Sequence, residues 1–300
     1  MLTIAYSPIY IYQLPNGHRF PMIKYELLPE QLIREGTVEE YQFFNPRPLE
    51  VKELMLTHTT EYLDKLFALD LSAKEMRQIG FPIRRELVER GKVIASGTYH
   101  CAKNAIDDGI SMNIAGGTHH SFADRGEGFC LYNDVAVAIN LLKQNDGIQK
   151  VLVVDLDVHQ GNGTAKIFEE NQEVFTFSMH GEKNYPIRKE KSSLDIGLKD
   201  KTEGKEYLRI LDDALHRTIE YFEPQLVFYN SGVDILESDK LGRLSVSKKD
   251  CMARDEFVFT TMKKNNIPVV TVMGGGYSER LADIVDAHAN TFRAAQAVFF

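Results

Sequence analysis

Short apolar runs alternate with longer amphipathic segments through most of the chain after residue 110. The runs are bounded by loop residues, which is typical of buried strands. In one longer segment, apolar residues recur from Leu208 to Phe222 at the spacing of one helix face. The predicted strands are Ser111–Ala115, Val151–Asp155, Glu173–Met179, Leu226–Asn230 and Val269–Met273. The predicted helices are Asn133–Lys143, Gly204–Phe222, Ser247–Lys264 and Ser278–Val298.

The first 110 residues predict one further strand and three further helices. The strand lies near Thr3–Tyr6, and the helices lie near Lys24–Arg34, Thr60–Leu69 and Arg84–Asp107. Two prolines between Tyr41 and Val51 predict a surface loop. Strands that alternate with helices are typical of a parallel sheet covered on both faces. Because no repeat, low-complexity tract or long linker divides the chain, we expect a single α/β domain over residues 1–300, with a central, mostly parallel sheet.

Composition and charge narrow the class of protein. Hydrophobic residues make up 43% and charged residues 26% of the 300 positions, which is typical of a globular protein. The net charge of −8 argues against nucleic acid as the main partner. No run of about 18 apolar residues predicts a membrane span, and the N-terminus does not match a secretory signal. Three widely separated cysteines favour a reducing compartment, so the predicted location is cytoplasmic.

Polar or glycine-rich motifs follow four of the predicted strands. Gly116–His120 follows the first, Asp155–His159 ends the second, Asp234 follows the fourth, and Gly274–Tyr277 follows the fifth. Ligands of parallel sheets bind beyond the carboxyl ends of the strands. We therefore expect these four motifs to converge on one crevice.

Two of these motifs carry a candidate metal site. Asp157 and His159 are two residues apart, so at the end of a strand they point to the same side. Asp234 is a third candidate ligand. Two carboxylates and one imidazole leave an open position, which is typical of a catalytic Zn²⁺ site, although Fe²⁺, Co²⁺ and Mn²⁺ also suit this set. Asp155 is interpreted as orienting a histidine or binding another cation. The alternative is a capped loop with an ordinary polar histidine.

The other two motifs carry candidate acid–base groups. His119 and His120 follow two glycines, and histidine exchanges protons near neutral pH. Tyr277 follows three glycines, and a phenol beside a metal can donate a hydrogen bond to an oxyanion. Taken alone, a pair of histidines is often incidental. Three glycines before a tyrosine could equally begin a helix or bind phosphate, but they match neither a P-loop nor a dinucleotide fingerprint.

In their order along nearly the whole chain, these motifs resemble the zinc-dependent histone deacetylase superfamily, which includes acetylpolyamine amidohydrolases and has an arginase-type α/β fold. The resemblance rests on Gly116–His120, Gly126–Asp134, Asp155–Gly163, Ser231–Asp234 and Gly274–Tyr277. The strings Gly17–Met22 and Asp157–Gly163 are most similar to the class IV branch and its bacterial members.

The resemblance implies a role for each motif. The zinc ligands would be Asp157, His159 and Asp234. His119 and His120 would form the acid–base pair, and Tyr277 would polarise the amide carbonyl. The walls of a narrow acyl-lysine channel would be Gly128, Phe129 and Leu241, with Tyr185 as the match for a second aromatic residue. Arg19 matches an arginine near an internal cavity beneath the metal. A structural K⁺ or Na⁺ ion would lie near the zinc, at positions that match Asp155, Asp157, His159, Ser178 and Met179.

One departure from the family pattern affects the histidine pair. Asn162 stands where class I members have an aspartate that would hydrogen-bond His120. A neutral amide stabilises an imidazolium less than a carboxylate does, so His120 is expected to be less basic, whereas His119 keeps Asp155. The rim aspartate with which class I members hold the substrate backbone has no match in this sequence. The substrate preference therefore stays open.

The predicted function is hydrolysis of the side-chain amide of an acyl-lysine, in a protein or peptide, by metal-activated water. An acetylpolyamine or another small N-acyl amine is an alternative substrate. A two-metal ureohydrolase would need further Asp or His ligands, which the sequence does not supply. A non-catalytic acyl-lysine binding protein would have lost a ligand, a histidine or Tyr277, and none is lost. The length of the acyl chain and the oligomeric state are not indicated by the sequence.

Overall fold

An eight-stranded sheet lies at the centre of the computed structural model, which describes residues 1–300. The strands are β1 (Thr3–Ala5), β2 (Phe43–Phe44), β3 (Ile110–Asn113), β4 (Val151–Asp155), β5 (Val174–Gly181), β6 (Leu194–Leu198), β7 (Leu226–Asn230) and β8 (Val269–Val272). Their order in the sheet is β2-β1-β3-β8-β7-β4-β5-β6, and every pairing is parallel. The predicted α/β class with a mostly parallel sheet is confirmed.

Ten α-helices flank this sheet. They are α1 (Lys24–Arg34), α2 (Val51–Leu54), α3 (Thr60–Ala68), α4 (Ala73–Ile79), α5 (Arg85–Asp108), α6 (Asp134–Asn145), α7 (Asn162–Phe168), α8 (Gly204–Phe222), α9 (Lys248–Lys264) and α10 (Leu281–Phe299). Polar side chains directly before several of these helices cap the first turn. The Asn133 side chain accepts a hydrogen bond from the backbone N–H of Ala136, and Ser247 does the same for Asp250. Such caps satisfy backbone donors that the first turn leaves unpaired.

The central strands are apolar because both faces of the sheet are covered. All residues of β3, β4, β7 and β8 are buried. The apolar residues of these strands belong to one hydrophobic cluster that extends along the chain from Leu2 to Ala295. Continuous burial explains why these strands were recognisable as uninterrupted apolar runs.

The prediction of a surface loop between Tyr41 and Val51 is wrong in part, because this segment contains β2. This two-residue strand pairs with β1 at the edge of the sheet, and Pro46 and Pro48 follow it. A second edge strand, β6, was not predicted. Its residues alternate between partly buried and exposed positions, so it lacks the apolar run of a central strand.

Three short helices, α2, α4 and α7, were also not predicted. For α4 the sequence does contain the signals that begin and end a helix. Ser72 and Glu75 form a capping box at its start, and Gly80 ends it with a positive φ of 81°. Helix α7 begins at Asn162, three residues after the Asp155–His159 motif, where Gly161 and Gly163 obscure the helical pattern.

The order of the strands brings the four predicted motifs together. Strands β3, β8, β7 and β4 are neighbours in the sheet, and each is followed at its carboxyl end by one of the motifs. The motifs therefore meet over the middle of the sheet. No helix is both long and apolar enough to cross a bilayer. All three cysteines are free and buried, and the cytoplasmic location stays a prediction.

Candidate active site

Asp157, His159 and Asp234 form a compact, buried cluster at the centre of this edge. One potential ligand atom from each of them lies within 4.8 Å of the other two. The Nδ1 atom of His159 is 3.0 Å from Oδ1 of Asp157 and 3.1 Å from Oδ2 of Asp234. The structure thus brings together the three predicted metal ligands.

Backbone N–H groups fix the two carboxylates. Asp157 accepts hydrogen bonds from the backbone of His159 at 2.9 Å and of Gly275 at 2.7 Å. Asp234 accepts one from the backbone of Val158 at 2.9 Å. A Cβ atom at Gly275 would lie 2.0 Å from Oδ2 of Asp234. Glycine at this position therefore lets the backbone approach the carboxylates closely.

The chemistry of this donor set fits a divalent cation. Burial and the charge of Asp157 together raise the pKa of Asp234 to about 7. Burial also opposes ionisation of Asp157, but the charge of His119 and the hydrogen bond with His159 hold its pKa well below the usual range. Two carboxylates this close repel each other unless a cation shares them. A buried pair of carboxylates with one imidazole is a metal-binding set.

His119 and His120 lie beside this cluster, with their ring centroids 4.1 Å apart. The Nδ1 atom of His119 is 2.6 Å from Oδ2 of Asp155. The Nδ1 atom of His120 is 2.6 Å from Oδ1 of Asn162. Both oxygens accept, so both Nδ1 atoms carry hydrogen, and the Nε2 atom of a neutral ring is then the one free to accept a proton.

The two histidines differ in basicity. Burial opposes protonation of His119, but the charges of Asp155 and Asp157 outweigh it and raise the pKa to about 9. For His120, burial and the charges of His119 and His159 act in the same direction, and the pKa lies well below its usual value. Asn162 brings no charge that could compensate, as the sequence analysis expected.

Asn230 supports the histidine pair and was not anticipated. Its side-chain nitrogen donates to Oδ1 of Asp155 at 2.9 Å. Strands β4 and β7 align Asn230 directly with Asp155. A polar residue at the carboxyl end of an otherwise apolar strand was the available indication.

Tyr277 is anchored through its backbone to the loop that carries Leu241. Its N–H donates to Oδ2 of Asp239 at 2.6 Å, and the other carboxylate oxygen of Asp239 accepts from the backbone of Leu241 and Gly242. The Tyr277 ring centroid lies 6.4 Å from that of His159. Burial and the charges of Asp157 and Asp234 keep the pKa of the phenol well above its usual value, so the hydroxyl stays a donor.

An outer cavity of about 660 Å³ leads from the surface to these groups. Its lining contains the four expected channel residues, one histidine of the pair, the histidine of the metal cluster and Tyr277. These residues are Gly128, Phe129, Tyr185, Leu241, His120, His159 and Tyr277. The Tyr185 and His120 rings are perpendicular, with centroids 4.9 Å apart. A Cβ atom at Gly128 would lie 2.6 Å from Cδ2 of His120, so this glycine brings the channel wall against the histidine.

A smaller inner cavity of about 40 Å³ lies next to the histidine pair. Arg90 of α5, not Arg19, is the arginine in its lining. Arg90 is buried and donates to the carbonyl of Tyr10 at 2.7 Å. Arg19 instead lies in the outer cavity, with its guanidinium 5.1 Å from the centroid of the Phe129 ring. The expectation that Arg19 lies beneath the metal is therefore wrong. Arg90 of α5 is the cationic residue at that position.

The positions expected to hold a monovalent cation also lie close together. Ser178 is the direct partner of Asp155 in the β4–β5 pairing, and Met179 is the next residue of β5. The Ser178 hydroxyl is 3.0 Å from Nδ1 of His180. The cation itself stays a prediction.

Comparison with known proteins assigns the family. Residues 18–292 match the model of the family described as "Histone deacetylase domain". Histone deacetylase 2 of Arabidopsis thaliana is 32% identical over 95% of this chain and 76% of its own length. An uncharacterized protein of Picosynechococcus sp. is 39% identical over 99% of both chains. A histone deacetylase homologue from Aquifex aeolicus has the same fold, with a TM-score of 0.84 at 22% identity over 99% of this chain and 84% of that one.

The chain therefore belongs to the histone deacetylase domain family. Its family description and its histone deacetylase relatives assign the chain to the deacetylases, which are hydrolases that act on acetyl-amide bonds.

Proposed function

We propose that this protein is a Zn²⁺-dependent lysine deacetylase of class IV type, and that residues 1–300 form its single catalytic domain. One observation carries the proposal. Two of the three candidate metal ligands, the histidine pair and Tyr277 line the inner cavity, and His120, His159 and Tyr277 also line the outer cavity with its aromatic wall. Such a channel suits a long alkyl stem that carries a neutral amide at its tip.

Asp157, His159 and Asp234 would hold the metal ion, which would supply Lewis acidity to a water molecule and to the amide carbonyl. His120 is the neutral histidine, so its Nε2 atom accepts the proton of the attacking water. His120 then returns this proton to the departing amine as the C–N bond breaks. His119 stays paired with Asp155 and assists beside it.

Tyr277 is suited to stabilise the tetrahedral intermediate. Its hydroxyl stays protonated, and donors aimed at a developing oxyanion commonly contribute a factor of about 10² to 10³ in kcat. The products are a carboxylate and a free amine. Fe²⁺ is the alternative ion, and K⁺ or Na⁺ near Asp155 and Ser178 would have a structural role.

The inner cavity favours the acetyl group among acyl groups. Its volume of about 40 Å³ is only about three times the roughly 10 to 15 Å³ that a single water molecule needs. An acetyl methyl fits such a space, whereas a fatty chain would have to displace its walls, which include Ile94 and Arg90.

Initial rates on lysine peptides that carry acetyl, hexanoyl and myristoyl groups test the proposal, with protein of measured metal content. We expect turnover of the acetyl peptide with one metal ion per chain, and a loss of about 10² to 10³ in kcat for Tyr277→Phe. Full activity of Tyr277→Phe or of Asp157→Ala would refute the proposed mechanism. Binding of acyl-lysine peptides without turnover would instead indicate a non-catalytic binding protein.

A further inference from the structure

Four exposed cationic side chains surround the mouth of the outer cavity. These rim cations are Arg19, Arg77, Lys183 and Arg243. They come from four separate segments: the loop before α1, helix α4, the loop after β5 and the loop after β7. Their convergence on one opening contrasts with the net charge of −8 for the whole chain.

The rim cations are largely free of protein counter-charges. Arg243 has an exposed ion pair with Asp200 at 3.3 Å, whereas Arg19, Arg77 and Lys183 have no carboxylate within 4.0 Å. Arg19 lies over the Phe129 ring, which holds its charge at the channel wall.

One acidic side chain, Glu127, also reaches this lining, but its carboxylate is already engaged. It accepts from the Tyr185 hydroxyl at 2.7 Å and from Nε of Arg125 at 2.9 Å. A substrate that approaches the mouth therefore meets an excess of positive charge.

We propose that the preferred substrate is an acyl-lysine within an acidic peptide segment, whose Asp or Glu side chains lie over the rim cations. This inference rests on the proposed deacetylase function and adds the substrate class to it. The same rim repels cationic substrates, so acylated polyamines and acyl-lysines within lysine-rich segments are disfavoured. The outer cavity is wide enough to receive residues that flank the acyl-lysine as well as its stem.

The expected effect is moderate because the rim is solvated. One unit-charge pair about 7 Å apart in water changes an equilibrium about two- to threefold at low salt, and physiological salt screens much of this. The peptide with two Glu and the peptide with two Lys differ by four unit charges, so at about twofold for each charge the range between them is on the order of tenfold. The rim contacts the flanks of the substrate and not the reacting amide, so the change is expected in KM and not in kcat.

Three peptides of equal length test the inference on the metal-loaded full chain. Each carries one acetyl-lysine, flanked by two Glu, two Gln or two Lys residues. We expect kcat/KM to fall in the order Glu, Gln, Lys over about a tenfold range at 20 mM salt, and the range to narrow at 300 mM salt.

The double variant Arg77→Gln, Arg243→Gln should bring the ratio of the Glu and Gln peptides towards one. The matched control is Lys264→Gln, which removes an exposed cation at the end of α9. The chain then enters β8 at its amino end, on the side of the sheet opposite to the carboxyl ends that carry the site. This control variant should leave the ratio unchanged.

Equal kcat/KM for all three peptides would overturn the inference and leave the proposed function standing. A preference for the Lys peptide or for acetylpolyamine would overturn it in favour of a cationic substrate. If metal-loaded protein turned over no acyl-lysine peptide at all, the proposed function would fail and this inference with it.

Discussion

The amide oxygen of Asn162 accepts a hydrogen bond from Nδ1 of His120 at a distance of 2.6 Å. Its amide nitrogen is turned the other way, 3.4 Å from a carboxylate oxygen of Glu127. An amide can accept on one side and donate on the other, whereas a carboxylate accepts only. Asn162 is thus compatible with both neighbours, and an aspartate in its place would face Glu127 with a like charge.

Asn162→Asp is expected to change the pH dependence of catalysis. A carboxylate beside Nδ1 stabilises the imidazolium, so the pKa of His120 rises. His120 must be neutral to accept a proton. The acidic limb of the kcat/KM profile should therefore move to higher pH, and activity at a pH on that limb should fall about tenfold.

The measurement is a full kcat/KM profile from pH 5 to 9 for the wild type, Asn162→Asp and Asn162→Ala. The alanine variant removes the hydrogen bond without adding charge, so it should lower the rate without moving the limb upward. An unshifted limb in the aspartate variant would contradict the assignment of His120 as the base.

Metal removal is expected to destabilise the protein because Asp157 and Asp234 then face each other unshielded. At a free metal concentration of 1,000 times Kd, binding adds about 4 kcal/mol to the free energy of unfolding. Dialysis against a chelator should therefore abolish activity and lower Tm, and added Zn²⁺ should restore both. Thermal unfolding with and without metal measures this.

Asp234→Asn is the informative variant for that experiment. The amide oxygen can still accept from the backbone of Val158, but the charge is gone. Without metal this variant should be at least as stable as the metal-free wild type, and metal should raise its Tm less. A variant stabilised by metal as much as the wild type would argue against Asp234 as a ligand.

The sequence identified the residues that lie in recognisable motifs at strand ends, and it missed residues and contacts that only tertiary packing brings to the site. Asp157 and His159 share one strand end, so their convergence follows from the geometry of a strand. Arg90 could not be assigned in this way, since it is one charged residue among several on a long helix and only tertiary packing buries it. Glu127 lies within a recognised motif, but its contact with Tyr185 spans 58 residues. Edge strand β6 was missed because a half-exposed strand carries little apolar pattern, and β2 was missed because it is only two residues long.

Arg254 is expected to be important for stability although it lies outside the active site. It is fully buried and pairs with Asp255 at 2.8 Å. It also donates to the carbonyl of Gly232 at 2.6 Å and of Ser231 at 3.1 Å, close to Asp234 in the chain. Arg254→Met leaves a buried carboxylate unpaired, which should cost about 3 to 5 kcal/mol of unfolding free energy.

Urea unfolding of Arg254→Met, Asp255→Asn and the double variant measures this coupling. Because the double variant removes both charges, it should lose less than the sum of the two single variants. Additive losses would show that the two buried charges do not stabilise each other.

His58 is expected to make stability depend on pH. It is buried, its Nδ1 atom donates to the carbonyl of Phe122 at 3.0 Å, and Nε2 accepts from the backbone of Asn133 at 3.1 Å. Burial lowers its pKa to about 4. Between about pH 6.5 and pH 4 the unfolded chain binds a proton that the folded protein excludes. Stability is therefore full above pH 6.5 and falls as the pH drops through this interval, by about 3 kcal/mol in total from this group.

The matched variant is His58→Gln, since glutamine carries a donor and an acceptor but does not titrate. Free energies of unfolding in urea at pH 7.5, 6 and 5 should fall more steeply for the wild type than for this variant. The difference between the two slopes isolates His58 from the other buried histidines, which titrate in both proteins. Parallel slopes would mean that His58 takes up its proton equally in the folded and unfolded states, contrary to its burial between Phe122 and Asn133.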